Sequence, residues 1–244
     1  MNPSGLFEVW VFLGRSPLLW LGLTLLAYLG ALALYRRSGY LPFLIPVLTA
    51  TSFTIAVLWL TDTPYPTYFE GAKFVHFLIG PATVALAVPL YRQWALLRRI
   101  WRPVLLALLV GSLTAMVSAW GIAWALGGSR ETWMSLMPKS ATMPIAMALA
   151  EQAGGLPSLA AVAVAVTGIA GAIMARPLLN WAGIREPAVR GFAVGLSAHA
   201  IGTARALQVH ETAGAFSALA MALNGVATAL LMPLLLAVMR AFGG

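Results

Sequence analysis

The chain has 244 residues, 61% of them hydrophobic and 9% charged, with a formal net charge of +8 and no cysteine. That balance excludes a soluble globule and points to a polytopic membrane protein. It also excludes disulfide frameworks and Cys-type metal sites, and because the basic residues lie between apolar runs, they read as orientation signals against anionic lipid and not as a nucleic-acid surface.

The opening "MNPSGLFEVWVFLGRSP", residues 1–17, contains Glu8 and lacks both a basic n-region and a small-residue cleavage site. It reads as an interfacial segment ahead of a single transmembrane domain, 18–244. Crossing a bilayer takes roughly 20 apolar helical residues. Windows 18–35, 41–61, 74–91, 103–129, 152–175 and 212–239 approach or exceed that length without a formal charge, and 132–150 and 191–207 join them if Lys139, His199 and Arg205 are tolerated inside the membrane. The predicted architecture is an all-α polytopic bundle of seven to eight apolar segments, interrupted or re-entrant near 132–152 and 191–208, with inverted repeats.

Arg36–Arg37, then Arg92, Arg98, Arg99 and Arg102, then Arg185 and Arg190 mark cytoplasmic loops, while Asp62 and Glu70 mark an outer one. Four spans alternate cleanly from an outer N terminus. Trp59, Trp120, Trp124 and Trp133 fall near the outer boundary, and Trp94, Trp101 and Trp181 near the inner one. Parity then fails: Arg102 and Arg185 both belong inside, yet three apolar windows separate them. One window is not a simple crossing, and 132–150 is the weakest.

That window holds "LMPKSATMPIAMALAEQAGG", residues 136–155. Pro138 and Pro144 each disfavour helix at the preceding residue, which predicts extended backbone at Met137 and Met143 and an unwound stretch 139–142. Pro144 suits the first turn of a new helix whose free N–H groups face Ser140 and Thr142. A helix start beside Lys139 is an anion site in outline. Two readings stay open: Lys139 faces a cavity at membrane depth, or it snorkels to the outer interface and the site vanishes.

In "GLSAHAIGTARALQVHE", residues 195–211, His199 and Thr203 share a helix face and Gly202 permits a break or a close backbone approach. A membrane histidine is often a packing residue, and Arg205 is near enough the segment's end to reach an interface, but both beside a glycine favour a functional role. "GPATVALAVPLY", residues 80–91, aligns with "SATMPIAMAL" at a constant offset of 59, a hint that Thr83 also lines the path. Small residues at helical spacing, such as Gly168 and Ala172 or Gly214 and Ala218, read as close helix packing. Asn224, mid-span in the last run, reads equally as an interhelical hydrogen bond, and Glu151 as a loop-facing acid. No Walker loop, HExxH, GxSxG or paired-carboxylate motif occurs, and His76, His199 and His210 are too dispersed for a metal, so no enzyme, metal or cofactor is expected.

"YFEGAKFVHFLIGPATVALAVPLY", "MPKSATMPIA", "SAHAIGTARA" and "GAFSALAMALNG" together resemble the LrgB/CidB family, in family order across about 65–233. One departure is Ile45–Pro46, where an asparagine–proline pair is expected, which puts in doubt a polar contribution from the second span. The resemblance implies either of two functions. One is an antiholin-like regulator of murein hydrolases acting with a small LrgA/CidA-type partner. The other is transport of small 2-hydroxy or 2-oxo monocarboxylates, as in relatives that include a plastid glycolate/glycerate translocator and bacterial pyruvate-uptake pairs. The transport reading is the one expected here, by alternating access in a bacterial cytoplasmic membrane, with a homo-oligomer, a dimer, as the assembly. Lys139 or Arg205 would balance the carboxylate; Ser140, Thr142 and Thr203 would hydrogen-bond it and the 2-substituent; His199 would bond substrate or carry a coupled proton; Thr83 would line the path.

Overall fold

The computed structural model describes residues 16–85 and 87–243, so the predicted interfacial segment lies almost wholly outside the described residues. Among those described the secondary structure is helical and no strand occurs. Four helices are long and apolar enough to cross a membrane: Pro17–Arg37, Trp94–Ala125, Pro157–Trp181 and Glu211–Met239. The chain divides after Ala85 into two compact units.

In the first unit, α1 (Pro17–Arg37) packs against α2 (Pro46–Leu60) and α3 (Tyr65–Phe77), followed by the short α4 (Ile79–Ala85). Pro17 and Pro46 open their helices where a missing N–H costs nothing. Arg36 and Arg37 close α1 beside its carbonyl end, which favours cations. Trp20 is buried and meets Tyr68 edge-on, and the Thr24 hydroxyl lies 3.1 Å from that of Tyr68.

The predicted span 74–91 is not one helix. α3 stops at Phe77 and a turn at Leu78 separates it from α4 (Ile79–Ala85), after which α5 (Ala87–Arg92) follows. Pro81 explains the stop at Phe77: it lacks the N–H that would have bonded four residues back, to the Phe77 carbonyl.

The second unit continues from α5 through α6 (Trp94–Ala125), α7 (Arg130–Leu136), α8 (Met143–Gln152), α9 (Pro157–Trp181), α10 (Pro187–Val209) and α11 (Glu211–Gly243). α6 bends at Ile100, where Pro103 crowds the carbonyl of Arg99. α10 and α11 form its most extensive helix pair. They approach so closely that a Cβ on Gly191 or Gly195 would collide with the carbonyl oxygen of Ala213 or Ser217, so only glycine fits. Leu108, Phe192, Leu196, Phe216 and Leu219 fill the core between α6, α10 and α11. Arg92 pairs with Glu211 at 3.1 Å, and Arg190 donates to Asn180 Oδ1 and the Ile184 carbonyl at 2.8 and 2.7 Å, fixing the turn from α9 to α10.

Candidate functional site

The segment that parity singles out is a broken hairpin. Ser129 caps α7, its Oγ accepting from Thr132 N–H at 3.3 Å. Turn bonds then run from Lys139 N–H to the Leu136 carbonyl and from Ala141 N–H to the Pro138 carbonyl, before α8 begins at Met143 with Pro144 in its first turn. After α8 the chain comes back to α7: Leu156 N–H donates to Ser135 Oγ at 2.7 Å, and Ser135 donates to the Glu131 carbonyl.

The predicted unwinding at 139–142 is present, but the extended residues are not the predicted ones. Met137 is helical at φ −52°, ψ −48°, and Met143 is already in α8; the extended residue is Thr142, at φ −66°, ψ 150°. Proline disfavours a helical predecessor without forbidding it. Met137 N–H still completes a bond to the Trp133 carbonyl, and the side chain is fully buried with Met116, Met134, Leu149 and Met232, so packing outweighs the local preference.

The second break lies in α10, at His199 and not at Gly202. His199 has φ 41°, ψ −133°, a conformation that side chains rarely adopt. Of the two roles expected of Gly202, a break or a close approach, the second holds, since a Cβ there would stand 2.6 Å from Ala198 Cβ and 2.8 Å from Val194 Cγ1. The His199 ring is buried and Nε2 donates to the Val164 carbonyl of α9 at 2.9 Å. Gly168 makes room for it: a Cβ there would lie 2.5 Å from His199 Cε1. Thr203 donates to the His199 carbonyl at 2.8 Å and its hydroxyl stands 2.9 Å from that of Ser217.

Asn224 joins the two breaks. Its Nδ2 donates to the Ser140 carbonyl at 2.9 Å and to the Leu196 carbonyl at 3.2 Å, and its Oδ1 accepts from Ser112 at 2.7 Å. Both of its N–H donors and its carbonyl oxygen are engaged in these bonds, and it is 1% exposed. Asn224 lies midway along Glu211–Met239 and Ser112 midway along Trp94–Ala125. The tip of the hairpin is therefore level with the middle of two helices long enough to cross a membrane. Sequence reasoning named Asn224 only as an interhelical bond; a lone amide inside a long apolar run was the available signal.

Beside the tip is a cleft of about 480 Å³ bounded by the hairpin, α6, α9 and α10. Lys139 and Ser140 line it, with Thr167 and Ser197 as its other polar residues. Lys139 is half-buried, its Nζ 3.5 Å from Ser140 Oγ. Among the described residues the ion pairs are Lys73–Glu70 and Arg92–Glu211, and neither supplies a carboxylate to Lys139.

Of the predicted site residues, the cleft brings together Lys139 and Ser140. His199 and Thr203 lie in the buried layer of α10, bonded to α9 and α11, while Thr142 and Arg205 are half-buried and do not line the cleft. Thr83 falls in α4 of the first unit, and its side chain lies outside the described residues. No group of three or more His, Cys, Asp or Glu that could hold a metal occurs among the described residues.

Residues 24–238 match the LrgB-like family. The chain is 41% identical over 204 residues to the uncharacterized protein YxaC of Bacillus subtilis, covering 84% of this chain and 88% of that protein. It is 34% identical to an uncharacterized protein of Haemophilus influenzae, covering 86% and 91%. It is 29% identical over 220 residues to the antiholin-like protein LrgB of Bacillus mycoides, covering 90% and 95%. No solved structure matches the chain.

Proposed function

The chain belongs to the LrgB-like family, and from that premise we propose that it is a multi-pass secondary transporter of small 2-hydroxy or 2-oxo monocarboxylates in a bacterial cytoplasmic membrane. The observation that supports this reading is the position of Lys139. It reaches a cleft from a hairpin tip held level with the middle of two membrane-length helices, with no carboxylate partner among the described residues. A cation at that depth is costly unless an anion or water answers it. A monocarboxylate supplies that answer when it binds.

In this reading the hairpin is re-entrant, which removes the parity conflict, and Lys139 and Ser140 engage the carboxylate. His199 and Thr203 hold the second break in register, and His199 is the candidate for a coupled proton. Arg205, Thr142 and Thr83 would meet substrate in other states of an alternating-access cycle. Paired interrupted segments at a shared site are what repeat-built transporters use, and the breaks at 139–142 and at His199 supply such a pair.

A second reading is favoured by the name of the antiholin-like relatives: a regulator acting with an LrgA/CidA-type membrane partner and moving no substrate of its own. Uptake of labelled glycolate, lactate or pyruvate into liposomes holding the purified protein separates the two. The transport reading expects uptake above empty liposomes that Lys139→Ala removes. Uptake of no small carboxylate by folded protein, with or without a small partner, would favour the regulator. Uptake that appears only with the partner makes the pair the transporter.

A further inference from the structure

The walls of the cleft carry information about the substrate's tail. Its charged end is fixed, because Ala141 at the hairpin tip packs against Val164 of α9, which sets Lys139 and Ser140 beside the start of that helix's cleft-lining face. From Thr167 that face continues through Ala170 and Gly171, Met174 and Ala175, then Leu178, positions that recur three and four residues apart as one helix face does. At the rise of an α-helix the face extends roughly 16 Å from Thr167 to Leu178. Beyond Thr167 it is entirely apolar, and α10 adds Val194 and Ala193. Ser197 is the polar residue contributed by α10.

Two consequences follow from charge and size. Lys139 is the single formally charged residue lining the cleft, so one carboxylate balances it and a second would be left among alkyl groups without a partner. A two-carbon acid would fill a small part of a volume within the ~300–1,000 Å³ typical of sites for much larger ligands. Water would then remain against Met174, Leu178 and Leu179, whereas an alkyl tail displaces it.

We propose that this cleft selects monocarboxylates whose 2-substituted head is followed by an apolar tail, such as branched-chain 2-hydroxy and 2-oxo acids, over two- and three-carbon acids and over dicarboxylates. The inference rests on the transport reading and specifies its substrate. Lys139 and Ser140 hold the carboxylate, and the Met174–Leu179 wall receives the tail.

The test is initial-rate uptake of labelled lactate and labelled 2-hydroxyisocaproate into liposomes containing the full chain, with unlabelled glycolate, lactate, 2-hydroxybutyrate, 2-hydroxyisocaproate and succinate as competitors. Competition should strengthen about three- to fourfold for each methylene buried, and succinate should not compete. In Met174→Gln and Leu178→Gln, which keep bulk and add an amide, the strength of 2-hydroxyisocaproate relative to lactate should fall several-fold in protein that still elutes as a single species. A flat series, or a preference for glycolate, in wild-type protein that does transport overturns the tail preference and leaves the transport reading standing. Uptake of none of these acids by folded protein removes the transport reading and this inference together. The wild-type series decides the matter even if a variant fails to fold.

Discussion

The two breaks of the second unit are built by opposite means. At 137–142 the chain is opened by two prolines, spans several residues, and presents Lys139 and Ser140 to a cleft. At His199 one residue at positive φ interrupts a helix without any proline nearby, and its ring is closed in against α9. The first break exposes chemistry; the second stores a distortion inside a fully bonded layer. Asn224, bonded to Ser140 and Leu196, keeps the two at one height. In the proposed transport reading, substrate meets the open break and the locked break sets its frame.

The sharpest way to break this contrast is to remove the side chain that only the open break presents. Lys139→Ala should reduce carboxylate uptake by about a hundredfold, the loss of a charge-assisted hydrogen bond with its ion pair, and should leave thermal stability in detergent close to wild type, since Lys139 makes one long contact at 3.5 Å. Lys139→Arg should recover part of the rate. Equal loss of stability in the alanine variant would mean that the lysine is structural and the two breaks are not different in kind.

The clamp comes next. Asn224→Leu leaves the Ser140 and Leu196 carbonyls and the Ser112 hydroxyl without their partner. It should destabilise the protein by about 2–3 kcal/mol, the sum of buried groups losing bonds in a setting where each is worth somewhat less than in a soluble core. Asn224→Asp keeps the acceptor for Ser112 and at most one of the two donors, as the neutral acid, so thermal unfolding should place it between the leucine variant and wild type. If it behaves as wild type, the breaks are held by packing alone.

The sequence made one break far more legible than the other, and the reason is chemical. Proline acts on its own neighbours, so Pro138 and Pro144 announce an interruption with no knowledge of the rest of the fold, and charge parity indicated independently that this window was no simple crossing. The same locality misplaced the detail, since Met137 stays helical because of long-range burial that no dipeptide rule contains. His199 carries no local signal of its backbone conformation. Beyond the local bond from Thr203 to its carbonyl, its surroundings are set by groups distant in sequence: the ring reaches Val164 over Gly168, and Asn224 holds the Leu196 carbonyl. Gly202 was open to a break or a close approach, and of the two it is the close approach that the structure shows. Hydropathy made four membrane-length helices readable, whereas window 41–61 holds a helix of only 15 residues, Pro46–Leu60, and a turn at Leu78 ahead of Pro81 interrupts 74–91.

Gly168→Ala sharpens the account of the locked break. The added methyl would stand 2.5 Å from His199 Cε1 and 2.9 Å from Nε2, so the ring must withdraw from the Val164 carbonyl or α9 must move away. A cost of about 1–2 kcal/mol is expected, in the range for overpacking a fitted interface. In His199→Ala the ring is gone, and adding Gly168→Ala should then cost much less. A double-mutant cycle on thermal stability measures that coupling, and strict additivity would show that the ring does not rest on α9.

The smallest effect isolates the backbone itself. His199→Ala and His199→Gly both delete the ring and its bond to Val164, so they share that loss and differ in the conformation each tolerates. Within an ordinary helix glycine is the poorer residue, by about 0.5–1 kcal/mol. At φ 41° the order reverses, because a Cβ is strained there and glycine is not. His199→Gly should therefore be more stable than His199→Ala by about 1 kcal/mol, seen as a higher Tm in the same detergent. Should alanine prove the more stable of the two, α10 would run through residue 199 as a regular helix, and the molecule would have one break where two are described.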